Sequence, residues 1–263
     1  MTDFTLRPTR ESDLDQIINI WSASFGDSEE FIFSLAENCC LIERGVCAVS
    51  DGEARAFMFA FDGLEIAGRK ASYIYALCTQ REYRRRGLGR AVLIYAAQQA
   101  NERGSELVFL RPADMDLAGW YASAFAAIPF APIGTEKITP SLPASLKAEE
   151  ISFDEYLLAR GKCPWSVPGE MLIAEGTVHR HYGGGFFRCG SSCVCAEKCG
   201  DGLYLREIIG DDSALAAAAL AEYFGVKDIF LPRPSSDGIP LMFIPPYAPE
   251  NIASVPLMPF TFD

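Results

Sequence analysis

A single stretch in the first half of the chain, Ser72 to Ala100, most constrains the fold. It opens with a run of mostly apolar and aromatic residues, Ser72 to Thr79, that predicts a strand. A polar, arginine-rich turn follows from Gln80 to Arg86, and a helical pattern starts at Gly87. This order places the unpartnered N–H groups of a helix N-terminus behind a glycine loop, which is a common anion site. The stretch therefore predicts an α/β fold that binds a pyrophosphate.

The loop itself narrows the choice of ligand. It reads Arg84-x-x-Gly87-x-Gly89, which is neither a P-loop nor a complete dinucleotide-binding fingerprint. It resembles the acetyl-CoA loop of the GNAT family of N-acetyltransferases, which lies between a strand and a helix. The resemblance implies that acetyl-CoA is bound by the loop and by the main chain of the preceding strand end, with these residues: Leu77, Cys78, Thr79, Arg84, Arg85, Arg86, Gly87, Leu88, Gly89 and Arg90.

The chain after the loop also fits this family. A second strand, Ser105 to Leu110, leads to Trp120 and Tyr121 in a short helical stretch, where the family places a tyrosine. The resemblance implies that Tyr121 is the general acid that meets the departing thiolate. Packing of two neighbouring aromatic rings on a helix face is the alternative reading of Tyr121.

The chemistry also requires a base. A lysine-like amine has a pKa of about 10.4 and is almost entirely protonated at neutral pH, so a proton must be removed before attack. The predicted cofactor strand carries no Asp or Glu. Three internal carboxylates remain candidates: Glu65, Asp114 and Asp116. A fourth, Asp263, follows an apolar segment, Val255 to Phe262, that predicts a docked terminal strand; the alternative is that this segment only closes a core.

Two further regions of the sequence carry local predictions. Asp27 and Glu30 fit the N-cap and capping-box positions of a helix that follows Gly26, although Asp27, Glu29 and Glu30 could also meet an amine substrate. In the second half, the apolar run Met171 to Ala174 predicts a strand.

The order of predicted elements divides the chain into two GNAT-like halves. Residues 1–145 form the predicted catalytic domain, and residues 146–263 repeat strands, helix and strand without the loop motif. Asp211 and Asp212 stand before the second-half helix and would repel a pyrophosphate. The predicted fold is therefore an α/β GNAT fold of tandem type. Its sheet is mixed, mostly antiparallel and flanked by helices, and its C-terminal half is degenerate.

Composition limits the partners. The 263 residues carry a net charge of −12, which argues against nucleic acid and favours a cationic small substrate. No apolar run reaches the roughly 20 residues of a membrane span, so no membrane partner is predicted. The nine cysteines show no disulfide framework, which predicts a cytoplasmic protein. We expect a monomer or a homodimer. Cys189, Cys193, Cys195 and Cys199, with His179 and His181 upstream, lack the usual zinc spacing, so no metal is predicted.

These observations predict an N-acetyltransferase that moves an acetyl group from acetyl-CoA to a primary amine of a small molecule or peptide, in a ternary complex. Two alternatives remain. The protein could bind acyl-CoA as a sensor without catalysis, or the arginine run could serve an RNA or an acidic protein partner.

Overall fold

The computed structural model describes residues 3–66, 68–140, 145–161 and 169–250, and its elements follow a repeated order. The first half of the chain contains six strands and four α-helices. In chain order they are β1 (Thr5–Pro8), α1 (Leu14–Phe25), α2 (Glu29–Asn38), β2 (Gly45–Ser50), β3 (Glu53–Ile66), β4 (Arg69–Thr79), α3 (Leu88–Glu102), β5 (Leu107–Leu110), α4 (Met115–Phe125) and β6 (Ile128–Ile138).

The described part of the second half contains six strands and three α-helices. They are β7 (Ala148–Glu150), α5 (Phe153–Arg160), α6 (Gly169–His181), β8 (Gly185–Cys189), β9 (Ser192–Cys199), β10 (Gly202–Ile209), α7 (Ser213–Phe224), β11 (Ile229–Pro234) and β12 (Ile239–Phe243). Each half thus has a strand, two helices, three strands, a helix and two further strands. The additional helix α4 stands between the last two strands of the first half only.

All described strands belong to one sheet, with the order β1-β2-β3-β4-β5-β12-β6-β11-β10-β9-β8-β7. The pairs β4–β5 and β10–β11 are parallel, and the other pairs are antiparallel. The last described strand of each half pairs with the other half: β12 joins β5, and β6 joins β11. The two halves therefore share a continuous sheet, and the fold is an α/β fold with a mixed, mostly antiparallel sheet flanked by helices.

The alternation of β3 explains how helices cover both faces of the sheet. Phe57 and Phe59 point to the core under α1 and α2, whereas Ala56 and Met58 point to the core under α3. In the second half, α7 packs on one core and α5 on another. A stacked pair of rings, Phe130 on β6 and Phe243 on β12, joins the two halves with a centroid distance of 3.9 Å.

Several turns and caps follow from local sequence signals. Asp51 and Gly52 join β2 to β3 with positive φ at both residues, as a type I′ hairpin requires. Gly26 ends α1 in the left-handed conformation. Ser152 and Glu155 form a capping box at the start of α5.

Two local predictions are wrong. Met171 to Ala174 lie within helix α6 and not in a strand. Asp27 does not cap α2, because Ser28 is the N-cap residue and its Oγ accepts a hydrogen bond from the Phe31 N–H at 3.2 Å. The carboxylate of Asp27 instead accepts hydrogen bonds from Trp21 and Tyr182.

Six of the eight described cysteines are buried, and Cys40 and Cys199 are exposed. Cys193 and Cys195 lie on the same face of β9 and are buried in one cluster with Tyr156 and Phe186, as their spacing predicts. Among the described residues, no group of three or more His, Cys, Asp or Glu side chains is arranged to hold a metal. None of the described helices is long and apolar enough to cross a membrane.

Candidate active site

The predicted phosphate loop joins β4 to α3 and leaves the start of that helix open. Gly87 is the N-cap residue with φ +87°, and the first intrahelical hydrogen bond runs from Ala91 N–H to the Gly87 carbonyl at 2.9 Å. The N–H groups of Leu88, Gly89 and Arg90 therefore lack acceptors within the helix, and glycine offers no side chain to cap them. The positive end of the helix dipole adds to this anion site.

Each loop arginine has a distinct position. Arg84 Nε donates to the Thr79 carbonyl at 3.0 Å and folds the loop back onto the end of β4. Arg85 is exposed with φ +61°. The guanidinium of Arg86 lies 5.0 Å from the ring centroid of Tyr83, and Arg90 Nε lies 3.4 Å from the Ala124 carbonyl. All four cations are exposed and lie within three residues of Gly87 in the chain.

Leu88 and Gly89 allow the start of α3 to lie close to the end of β4. Leu88 is buried in the core beneath α3 and anchors the first turn. A Cβ built on Gly89 would lie 3.1 Å from Thr79 Oγ1. The helix start and the end of β4 thus approach each other closely because position 89 has no side chain.

Strand β4 is irregular beside the loop. Tyr75 pairs with Phe59 and Cys78 pairs with Phe57, so Ala76 and Leu77 together oppose the single residue Met58. This is a β-bulge, and Ala76 has φ +52°. In the described register β5 pairs with β4 only from Ala71 to Ile74, so Ala76 and Leu77 lie outside both ladders. Their main-chain groups are available to a ligand that lies along the strand.

The side chain of Cys78 is buried in the core under α1 and α2. Burial raises the pKa of its thiol to about 12, so the thiolate form is suppressed at neutral pH.

Tyr121 lies on α4 beside a pocket that opens where β4 and β5 separate. Its side chain is 7% exposed. Burial raises the pKa of its phenol well above the usual value, with a smaller contribution from nearby Cys78. Its ring also packs edge-on against Trp120, with a centroid distance of 4.9 Å. The predicted acid position therefore faces a pocket and also takes part in aromatic packing.

The pocket has a volume of about 230 Å³ and is mainly aromatic and apolar. Its described walls come from α1, α2, β4, the segment after β5, α4 and α6. Asp27 is the only carboxylate among the described lining residues, and the pocket reaches the bulge at Ala76 and Leu77. The cofactor strand, the predicted acid and one carboxylate therefore meet at one cavity.

The predicted base candidates lie elsewhere. Asp114 is the N-cap of α4 and accepts a hydrogen bond from the Leu117 N–H at 2.7 Å. Asp116 is exposed in the first turn of the same helix, and Glu65 is exposed on β3 opposite Lys70. None of these three lines the pocket in the described residues. Asp263 and the predicted terminal strand Val255 to Phe262 lie outside the described residues, and the role of Asp263 stays a prediction.

The pocket residues that sequence reasoning missed are Trp21, Tyr182 and Arg111. Trp21 reads as one of several apolar residues on the face of α1, and nothing in the sequence links it to Tyr182. Arg111 follows β5 directly, which is a position where a polar residue often marks a site.

The corresponding loop of the second half is built differently. Only Gly210 to Asp212 separate β10 from α7, whereas eight residues separate β4 from α3. The second loop has neither the length nor the two-glycine pattern of the first.

The two histidines upstream of the cysteines contact other side chains. His179 Nδ1 lies 2.8 Å from Glu197 Oε2, and the ring of His181 stacks on Phe31.

The comparisons with known proteins agree with this geometry. Residues 5–122 match the family model of the acetyltransferase (GNAT) domain. This part of the chain is therefore similar to a GNAT acetyltransferase domain, and the chain has the α/β GNAT fold. No curated protein sequence matches the chain significantly.

Solved structures show the same fold over most of the chain. The chain is similar to a GCN5-related N-acetyltransferase from Kribbella flavida, with a TM-score of 0.68 and 16% identity, over 92% of this chain and 70% of that one. It is also similar to Eis1 from Mycobacterium abscessus, with a TM-score of 0.63 and 13% identity, over 89% of this chain and 67% of that one. At these identities the similarity concerns the fold.

Proposed function

We propose that this chain is an N-acetyltransferase that transfers an acetyl group from acetyl-CoA to a primary amine of a small molecule or peptide. The observation that carries the proposal is the open helix start behind Gly87, adjoining a bulged strand that leads into the pocket of Tyr121. Free N–H groups and four arginines suit a pyrophosphate, and main-chain groups outside the ladders suit the amide groups of a pantetheine arm. The free thiols of the described cysteines support a cytoplasmic location.

In this proposal the residues divide the work as follows. The α3 N-terminus and the four loop arginines, Arg84, Arg85, Arg86 and Arg90, hold the pyrophosphate. The main chain of Leu77, Cys78 and Thr79 aligns the pantetheine arm. Because Cys78 and Thr79 pair with β3, they would meet the arm on the opposite edge of β4, which lies beyond the pairing with β5. When bound, acetyl-CoA supplies the thioester that the amine attacks. The amine nitrogen bonds to the carbonyl carbon, the carbon–sulfur bond breaks, and Tyr121 gives its phenolic proton to the leaving thiolate. The ammonium group of the substrate loses one proton to water before the attack and a second proton after it, and Tyr121 regains a proton from solvent.

The raised pKa of Tyr121 fits this role, because the phenol stays protonated at neutral pH and can donate. Joint binding of amine and thioester in one pocket would supply much of the acceleration, since orientation alone contributes about 7 kcal/mol or more in well-aligned systems.

The proposal is tested by mixing the protein with acetyl-CoA and a panel of primary amines, and by following thiol release together with the mass of the product. We expect thiol release that depends on the amine, and a product heavier by one acetyl group. Tight binding of acetyl-CoA without transfer to any amine would favour the sensor alternative. Absence of acetyl-CoA binding would contradict the proposed cofactor site.

A further inference from the structure

The pocket next to Tyr121 combines aromatic walls with a single acidic group. Seven aromatic residues line it: Trp21, Phe25, Phe31, Tyr73, Tyr75, Tyr121 and Tyr182. The one cation among its described walls, Arg111, already takes part in an interaction within the protein. At about 230 Å³ the pocket lies below the range of roughly 300–1,000 Å³ that is typical of drug-sized ligands. Its occupant is therefore small and mostly apolar.

Asp27 is held in a fixed orientation within this pocket. Its Oδ2 accepts a hydrogen bond from the indole N–H of Trp21 at 2.7 Å, and its Oδ1 accepts one from the Tyr182 hydroxyl at 3.1 Å. Each carboxylate oxygen can accept a second hydrogen bond, so capacity remains for an incoming N–H donor. A cation bound at Asp27 would also lie among the faces of neighbouring aromatic rings, which attract positive charge.

The second half of the chain completes this arrangement. Tyr182 directly follows α6, and α6 packs against α2 where the His181 ring stacks on Phe31 with a centroid distance of 4.3 Å. Burial, with a smaller contribution from the Asp27 carboxylate, raises the pKa of the Tyr182 hydroxyl to about 12, so Tyr182 remains a hydrogen-bond donor at neutral pH. Although the second half lacks a cofactor loop of its own, it thus supplies a wall of the pocket and a partner for its carboxylate.

We infer that the acceptor is a primary monoamine on a short aromatic or apolar skeleton, whose ammonium group pairs with Asp27 while its skeleton contacts the surrounding rings. The inference rests on the proposed acetyltransferase function and names its substrate class. A polyamine would leave a second ammonium among apolar walls without a partner, which is costly. A neutral analogue of the same shape would gain the ring contacts but not the charge pair at Asp27.

The test measures binding directly, by isothermal titration of the full chain in the presence of CoA, with three probes. We expect 2-phenylethylamine to bind about tenfold more tightly than 2-phenylethanol, because a hydrogen-bonded charge pair separates them. We also expect it to bind more tightly than spermidine. Asp27→Asn should weaken binding of 2-phenylethylamine about tenfold and leave that of 2-phenylethanol unchanged. Tyr182→Phe should weaken binding of the amine by a smaller factor.

Glu37→Gln is the matched control, since it removes one carboxylate charge from the exposed end of α2 and should leave all three affinities unchanged. If Asp27→Asn does not fold, Tyr182→Phe at a half-exposed side chain still tests the inference. Equal affinity for the amine and the alcohol, unchanged amine affinity in the variants, or preference for spermidine would overturn it. Acetyl transfer measured on the same amine separates the two claims: binding without transfer contradicts the proposed function, and transfer that is insensitive to Asp27 contradicts this inference.

Discussion

At the scale of single residues, Tyr121 carries the sharpest chemical assignment. Its phenol is nearly buried, and burial raises its pKa far above the usual value. A raised pKa means that the proton stays bound as the pH increases through neutrality, so a Tyr121 acid would remain functional in moderately alkaline solution. No loss of kcat that is due to Tyr121 is therefore expected between about pH 7 and pH 9.

Replacing Tyr121 with Phe removes the proton donor and keeps the ring. We predict that Tyr121→Phe lowers kcat by about 100-fold, at the lower end of the usual contribution of a general acid, while the Kd of acetyl-CoA changes little. Steady-state kinetics and titration measure the two quantities. Tyr95→Phe, which removes the hydroxyl of a partly buried tyrosine on α3, is the control and should leave kcat unchanged. A kcat that survives in Tyr121→Phe would assign Tyr121 to aromatic packing.

Asp27 shows why single residues can be misread from sequence. The segment from Asp27 to Glu30 offers two residues able to cap a helix, and local pattern alone does not choose between them. The structure selects Ser28 because Asp27 accepts hydrogen bonds from Trp21 and from Tyr182, which is 155 residues away in the chain. Such a long-range partner leaves no trace in local sequence, whereas the loop glycines and Tyr121 follow spacings that are visible within about fifty residues.

At the scale of elements, the cap of α2 matters because this helix carries Phe31 into the pocket. We predict that Ser28→Ala lowers the free energy of unfolding by about 1 kcal/mol, since the N–H of Phe31 loses its acceptor. Denaturant titration measures the change. Ser34→Ala, within the same helix, is the control and should not destabilise, because alanine has the higher helix propensity. A loss of the same size in Asp27→Ala, together with none in Ser28→Ala, would return the cap to Asp27.

The strands, hairpin and helices of the first half could be predicted because their apolar periodicities and turn residues are local signals. The error at Met171 to Ala174 has a physical cause: a short apolar run fits a buried strand and a buried helix equally well. In the structure the run belongs to α6, which lies against α2 at His181 and lines the pocket with Val178. Contacts between helices so far apart in the chain are not encoded in the local pattern.

At the scale of the whole molecule, the two halves repeat an order of elements but are not separate in space. Each half gives its last strand to the other, and the Phe130–Phe243 stack lies at the exchange. The sequence predicted the repetition from the order of its elements. It did not predict the exchange, because pairing between distant strands depends on tertiary packing. The boundary between residues 145 and 146 stays a prediction, although it falls in a chain whose sheet is continuous.

The central claim is that one acetyl-CoA binds per chain, at the start of α3. It is tested most directly by isothermal titration of acetyl-CoA into the wild type, Gly89→Val and Gly119→Val. We predict that the wild type binds one acetyl-CoA per chain. In Gly89→Val the affinity should fall by at least about tenfold, because the valine side chain crowds Thr79 and blocks the approach to the helix N–H groups. Gly119→Val, the same change in the open helix position of α4, should leave the affinity unchanged. Two cofactors per chain, or equal affinities in all three proteins, would contradict the account.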